Sequence, residues 1–225
     1  MNYCSVVRRL ALCSAILLST TAAQSALVNR GGGMIYDDVQ NITWLSDFNY
    51  ARTSGFSVDG WMFWDTANRW ANDLIYGGFS DWRLPTTNTT ASSNCGNSSV
   101  SPGFPEQFFG FYCSGSEIGH LHYVDLGARA AYGFSTASNT ANLALFTNMD
   151  NALWTSSQSA LRPDYFWLFG GGAQGIAPNA TWVTAVAVRD GDVAAVPEPA
   201  TLALVGAALF GLAASRRRRP ATPTA

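Results

Sequence analysis

With 225 residues, the chain is long enough for one sizeable domain plus appendages. Charged residues make up only 12% and aromatic residues 13%, with 21 glycines and eight tryptophans, a profile that excludes a disordered chain and fits a loop-rich domain with an aromatic core. All 13 basic residues are arginine, and six of them (Arg8, Arg9, Arg216, Arg217, Arg218, Arg219) lie near the two ends. Seven then face 15 acidic residues between Asp37 and Glu198, so the chain between its arginine-bearing ends carries a net charge of about −8 and is a poor partner for nucleic acid or anionic polymers.

In chain order, residues 1–25 read as a signal peptide. Arg8 and Arg9 precede a short apolar run over 10–18, and small residues follow to 26. The body, 26–193, opens with Leu27-Val28-Asn29-Arg30 and a glycine turn at 31–33. Two strands are expected over 34–38 and 42–45, the second carrying Trp44, joined by a turn at 39–41. Asp37 and Asp38 fall at this hairpin turn, where aspartates act as turn formers more often than as calcium ligands.

Ala67, Trp70, Ala71, Leu74 and Ile75 recur at helical spacing and predict an amphipathic helix over 65–76. Gly77 and Gly78 are expected to supply the left-handed cap that stops the helix. In Asp81-Trp82-Arg83-Leu84-Pro85 the apolar and charged residues alternate. Trp82 and Leu84 should face the core beneath the helix, Trp82 near Trp70. Asp81 and Arg83 should point away, Arg83 being held by a carboxylate or by carbonyls of a distant strand, and Pro85 ends the run.

A Thr-, Ser- and Asn-rich surface loop follows to 101. Cys95 and Cys113 are the two cysteines outside the signal segment, and in an oxidising envelope they are expected to pair. The sequons at Asn88, Asn97 and Asn179 are chance matches. Both histidines lie in the stretch 116–125, where Glu117, His120, His122 and Asp125 offer a candidate metal set. On a strand His120 and His122 share a face without Glu117, whereas on a helix Glu117 and His120 share one without His122. A hydrogen-bonded structural network is therefore favoured over a metal. The signal is weak over 127–151. Strands are expected over 153–156 and 165–169, and a central one over 182–189.

Motifs of nucleophilic, nucleotide-binding or zinc-peptidase catalysis are missing from the sequence. Asp37, Glu117 and Asp125 are the carboxylates a hydrolase would need to pair, and the expectation is a protein that is not an enzyme and carries no cofactor.

Three stretches, G-G-F-S-D-W-R-L-P-T at 77–86, the hairpin at 32–51 and A-V-A-V-R-D-G-D-V at 185–193, resemble the DUF1566 (Lcl C-terminal-like) domain. The resemblance implies an α+β fold related to C-type-lectin-like domains: a twisted mixed sheet, one main flanking helix and long loops. It also implies a structural role for Trp44, Trp70, Gly77, Gly78, Asp81, Trp82, Arg83, Leu84, Pro85, Glu117, Gly119, His120 and Arg189.

At the other end, Val196-Pro197-Glu198-Pro199, an apolar run over 200–214 and Arg216, Arg217, Arg218 and Arg219 follow in order. The run is shorter than the roughly 20 residues of a full membrane span. This arrangement over 194–225 is similar to the PEP-CTERM sorting signal. It implies processing by an exosortase, a transient inner-membrane intermediate, cleavage near Pro197–Pro199 and release to the cell surface or extracellular matrix. Two functions fit such a protein. One is a carbohydrate-binding module associated with exopolysaccharide; the other is a structural or protein-interaction component of the biofilm matrix without a small ligand.

Overall fold

The computed structural model of the protein describes residues 27–90, 93–96, 106–150 and 152–193. The expected signal peptide at 1–25 and sorting segment at 194–225 lie outside these residues.

Two antiparallel sheets carry the body. In the first, β1 (Leu27–Gly31), β2 (Met34–Asp37) and β3 (Ile42–Leu45) form a meander, and β8 (Val188–Asp190) joins beside β3. The β2–β3 hairpin is the one expected, with Asp37 opposite Ile42 and Ile35 opposite Trp44. In the second sheet, β5 (Ala152–Gln158), β6 (Tyr165–Gly170) and β7 (Ala173–Pro178) run consecutively, with β4 (Gly110–Phe111) outside β7. The protein is thus α+β and mostly sheet, with two antiparallel sheets in place of the single mixed sheet expected.

The expected central strand over 182–189 is central, but only its end is a regular strand. It serves both sheets in turn. Trp154 N donates to the Thr184 carbonyl (2.9 Å) and Leu45 N to the Ala187 carbonyl (3.0 Å), so neither sheet pairs the whole length. Val183 to Val188 are buried throughout, which makes this segment the seam of the core. β7, reading Ala-Gln-Gly-Ile-Ala-Pro, has one β-branched residue and ends on proline. It forms because β6 pairs with it along its whole length, from Tyr165 opposite Pro178 to Gly170 opposite Ala173.

The helices are short: α1 (Tyr50–Thr53), α2 (Trp64–Asn72), α3 (Glu117–His120) and α4 (Thr140–Leu143). α2 buries Ala67, Trp70 and Ala71 as the spacing predicts, but it stops at Asn72. Ile75 is consequently 77% exposed, and Gly77 and Gly78 do not cap the helix. They form a two-residue turn, with φ of +62° and +86°, between Tyr76 and Phe79, which exchange both backbone hydrogen bonds at 3.0 Å. Positive φ at both central residues is the signature of a tight hairpin turn, so the glycine pair has the geometry expected of it in a different role. Asn72 and Asp73, poor helix-interior residues, end α2 first.

Trp82 is buried, as expected. Its Nε1 donates to the Tyr76 carbonyl (3.2 Å), and its ring meets Tyr76 edge to face with centroids 5.9 Å apart. Trp70 lies in the same core. Arg83 and Val188 exchange backbone hydrogen bonds at 2.8 Å each, so the Asp81–Leu84 run adds itself to the first sheet beyond β8. Cys95 and Cys113 are disulfide-bonded, 18 positions apart. Closing a loop of that size stabilises the fold by roughly 3 kcal/mol in the chain-entropy model.

Candidate functional site

Five of the eight tryptophans (Trp44, Trp70, Trp82, Trp154 and Trp167) are buried. Trp61 and Trp182 are not: they are 40% and 56% exposed, and with Phe56, Val58 and Phe63 they form an apolar surface patch. The patch is built by a local pairing. Met62 and Val183 exchange backbone hydrogen bonds (2.9 and 3.2 Å), so their side chains turn into the core while Trp61, Phe63 and Trp182 beside them face outward. Phe63 and Trp182 then meet at 4.8 Å between centroids.

Phe63 occupies the N-cap of α2 without making a capping bond. The exposed helix N–H groups are satisfied from another element. Trp64 N donates to the Asn179 carbonyl (3.1 Å) and Asp65 N to Asn179 Oδ1 (3.4 Å), while Asn179 Nδ2 donates to Asp65 (2.7 Å). Asn179, flagged in the sequence only by a sequon, is therefore the residue that releases Phe63 from capping and lets an aromatic ring stand there.

The loop before this pairing is ordered by its own polar groups: Trp61 N donates to Asp59 Oδ1 (3.0 Å) and Gly60 N to Ser57 Oγ (3.1 Å). Together these residues line a groove of about 370 Å³ whose walls are Phe56, Val58, Trp61, Phe63 and Trp182, with Ser57, Asp59 and Thr66 as polar edges. A second hollow of about 400 Å³, lined by Trp70, Asp73, Leu74 and Ile75, shares Phe56 with the first. Aromatic faces bordered by a few hydroxyl and carboxylate groups are the composition of a ligand-binding cleft.

The charged residues of the D-W-R-L motif and Glu117 sit elsewhere, in a network of ion pairs around β8. Asp81 accepts two hydrogen bonds from Arg189 (2.8 and 2.9 Å), and the Arg189 guanidinium lies 4.0 Å over the Phe79 ring. The Arg189 bonds hold the Asp81 carboxyl below its ordinary pKa. Arg83 is held by carboxylates, as expected. It donates to both carboxylate oxygens of Glu117 (2.9 and 2.8 Å) and to Asp190. Burial alone would lower the Arg83 pKa, but the hydrogen bonds and charges of Glu117 and Asp190 outweigh it, so Arg83 stays above its ordinary value. Glu117 also accepts from Thr86 N (2.6 Å). Leu84 and Pro85 are buried, and the Pro85 carbonyl accepts from Ser156 N (2.8 Å). Gly119 is a close-approach glycine: a Cβ there would stand 1.9 Å from the Cys113 carbonyl oxygen.

The four candidate metal ligands are split. Glu117 is committed to Arg83, and His122 enters an aromatic pocket of Tyr123, Phe134 and Phe169. Burial lowers the His122 pKa, partly countered by its Nε2 donating to the Arg129 carbonyl (3.2 Å), and the ring is neutral at pH 7. His120 and Asp125 do come together, and Asp37 joins them: one nitrogen or oxygen atom from each lies within 4.8 Å of the others. Asp38 is exposed and outside the group. The carboxylates considered for a hydrolase thus divide as well, Asp37 and Asp125 on one side and Glu117 on the other.

Among proteins and domains already known, residues 195–219 match the PEP-CTERM protein-sorting motif. This motif is the recognition signal of exosortases and implies a protein exported through the membrane to the cell surface and processed there. No curated protein and no solved structure matches the chain. Among the described residues, no helix is long and apolar enough to cross a membrane.

Proposed function

We propose that the body is a non-catalytic carbohydrate-binding module that holds an exported protein in exopolysaccharide through the groove of Phe56, Trp61, Phe63 and Trp182. The observation that carries this reading is the pair of exposed tryptophans in a protein that buries five others. Rings kept at the surface at the expense of apolar exposure mark an interaction site, and the sugar faces of a polysaccharide stack on such rings while Ser57, Asp59 and Thr66 can bond hydroxyls. The acidic body favours a neutral glycan over a polyanionic one. A DUF1566-like domain is the family reading that the D-W-R-L motif supports. A purely structural matrix component remains the second reading, favoured by how much of the motif is spent on internal ion pairs.

Glycan-array and polysaccharide-gel binding of the purified protein tests the proposal. Trp61→Ala and Trp182→Ala should each weaken binding about tenfold, the loss of roughly one aromatic contact of 0.5–1.5 kcal/mol. Melting temperature should change little, since both side chains are already exposed. Unchanged binding in both variants, or no glycan binding by the wild type, would transfer the protein to the structural reading.

Sorting has its own test. In a host with its exosortase, the protein should lose the segment after about Val196. Replacing Pro197, Glu198 and Pro199 by alanine should leave full-length protein in the membrane fraction. A mature C-terminus still at Ala225 in such a host would overturn exosortase processing.

A further inference from the structure

Asp125 follows His120 by five positions, a spacing that points side chains to different faces of an α-helix. Here the chain passes from α3 into a π-helical turn, Leu121–Asp125, closed by Leu126 N donating to the Leu121 carbonyl (2.9 Å). A π turn steps from i to i+5, so the fifth residue returns to the same face; such turns are rare and concentrate at functional sites. The result is that His120 Nε2 lies 3.7 Å from Asp125 Oδ1. Facing them is Asp37, at the end of β2.

We propose that Asp37, His120 and Asp125 form a binding site for a single divalent cation that accepts mixed imidazole and carboxylate ligands, of the zinc type. Both carboxylates are deeply buried, Asp37 at 0% and Asp125 at 2% exposure, unlike an ordinary surface cluster of acids. Asp37 is oriented by neutral donors: Val39 N (3.1 Å) and Gln40 N (2.9 Å) on Oδ1, and Gln40 Nε2 (2.6 Å) on Oδ2. A carboxylate has about four acceptor positions; the three bonds leave one on Oδ2 for a ligand. Gln40 Nε2 also donates to the Glu117 carbonyl (3.2 Å), which ties the β2–β3 turn to the start of α3 and holds Asp37 in front of His120.

His120 supplies the independent observation. Its Nε2 is shielded from solvent and makes no hydrogen bond among the described residues, and 3.7 Å to Asp125 is too long for one. A buried imidazole nitrogen aimed at a carboxylate at that distance has space for an ion between them. Zinc bonds of about 2.0–2.2 Å in tetrahedral geometry put ligand atoms about 3.4 Å apart, so the trio closes by about an ångström on binding and leaves a fourth position for water. Borderline divalent ions suit a nitrogen-and-oxygen set, whereas calcium prefers oxygen alone. Gln40 then serves as the outer partner that metal-ligating carboxylates characteristically have.

The test uses protein purified from an exporting host, stripped with EDTA, dialysed and titrated with zinc chloride by calorimetry. Binding at one ion per chain is expected, with a rise in melting temperature and a shift of the His120 ring resonances while those of His122 stay put. His120→Gln and Asp125→Asn should abolish the heat, and Gln40→Ala should weaken affinity about tenfold. Absence of zinc-dependent heat and of any melting shift in the wild type would overturn the site. So would undiminished binding by His120→Gln. If a variant does not fold, the wild-type titration and the two histidine ring spectra decide the question alone. Perturbation of His122, or of neither ring, refutes the proposal.

Discussion

Trp82→Ala is expected to destabilise the body by about 3–5 kcal/mol, the usual cost of deleting a large buried aromatic side chain. The total stability of a domain is about 5–15 kcal/mol, so such a variant is either unfolded or melts more than about 10 °C lower. The effect comes from three losses at once. The ring is 2% exposed and packed in the core, its edge contact with Tyr76 anchors the tight turn at Gly77 and Gly78, and its Nε1 adds a second hydrogen bond to the Tyr76 carbonyl. Thermal denaturation followed by circular dichroism reads the result directly. A Trp82→Ala protein that melts with the wild type but has lost glycan binding would instead make the motif a binding surface.

The second large effect is expected at Glu117. Glu117→Ala removes both acceptors of the Arg83 guanidinium and the acceptor of Thr86 N. Stranding a fully buried charge costs about 3–5 kcal/mol. Here Arg83 is 25% exposed and keeps Asp190, so a loss of about 2–3 kcal/mol is expected, discounted for solvent screening. Arg83→Met, which removes the charge and retains volume, should recover part of that loss when combined with Glu117→Ala. A double-mutant cycle in urea measures the coupling. Strict additivity of the two single changes would refute an energetic link between them.

The parts legible in the sequence are those where local pattern and tertiary demand coincide. The β2–β3 hairpin, strands β5 and β6, the buried stripe of α2 and the Cys95–Cys113 pair all follow from spacing and residue type. Gly77 and Gly78 announce positive φ, but sequence does not say whether a helix cap or a hairpin turn uses it, and the early end of α2 at Asn72 decides. Charge alternation in Asp81-Trp82-Arg83-Leu84 predicts two faces and a carboxylate for Arg83, but not which one: Glu117 and Asp190 lie 34 and 107 positions away. The aromatic groove was hidden because exposed and buried tryptophans look alike in a sequence. Only the Met62–Val183 pairing and the Asn179 bonds reveal which ones stay outside. The grouping of Asp37 with His120 and Asp125 needs the π turn, which has no sequence signature.

β8, the last strand of the body, does not sit at an edge: β3 flanks it on one side and the Arg83 segment on the other. A chain emerging N-terminus first therefore holds an unfilled slot in its first sheet until its final strand is delivered. The loop closure involved spans nearly the whole body, which makes it a slow and late event in folding. Maturation thus has a built-in order. Until β8 docks, Asp81, Arg83 and Arg30 lack the Arg189, Asp190 and Asp192 side chains that bind them in the finished protein. The sorting motif begins at residue 195, five positions beyond the end of that strand, so the segment to be processed follows directly on a strand paired on both sides and not on a loose terminus.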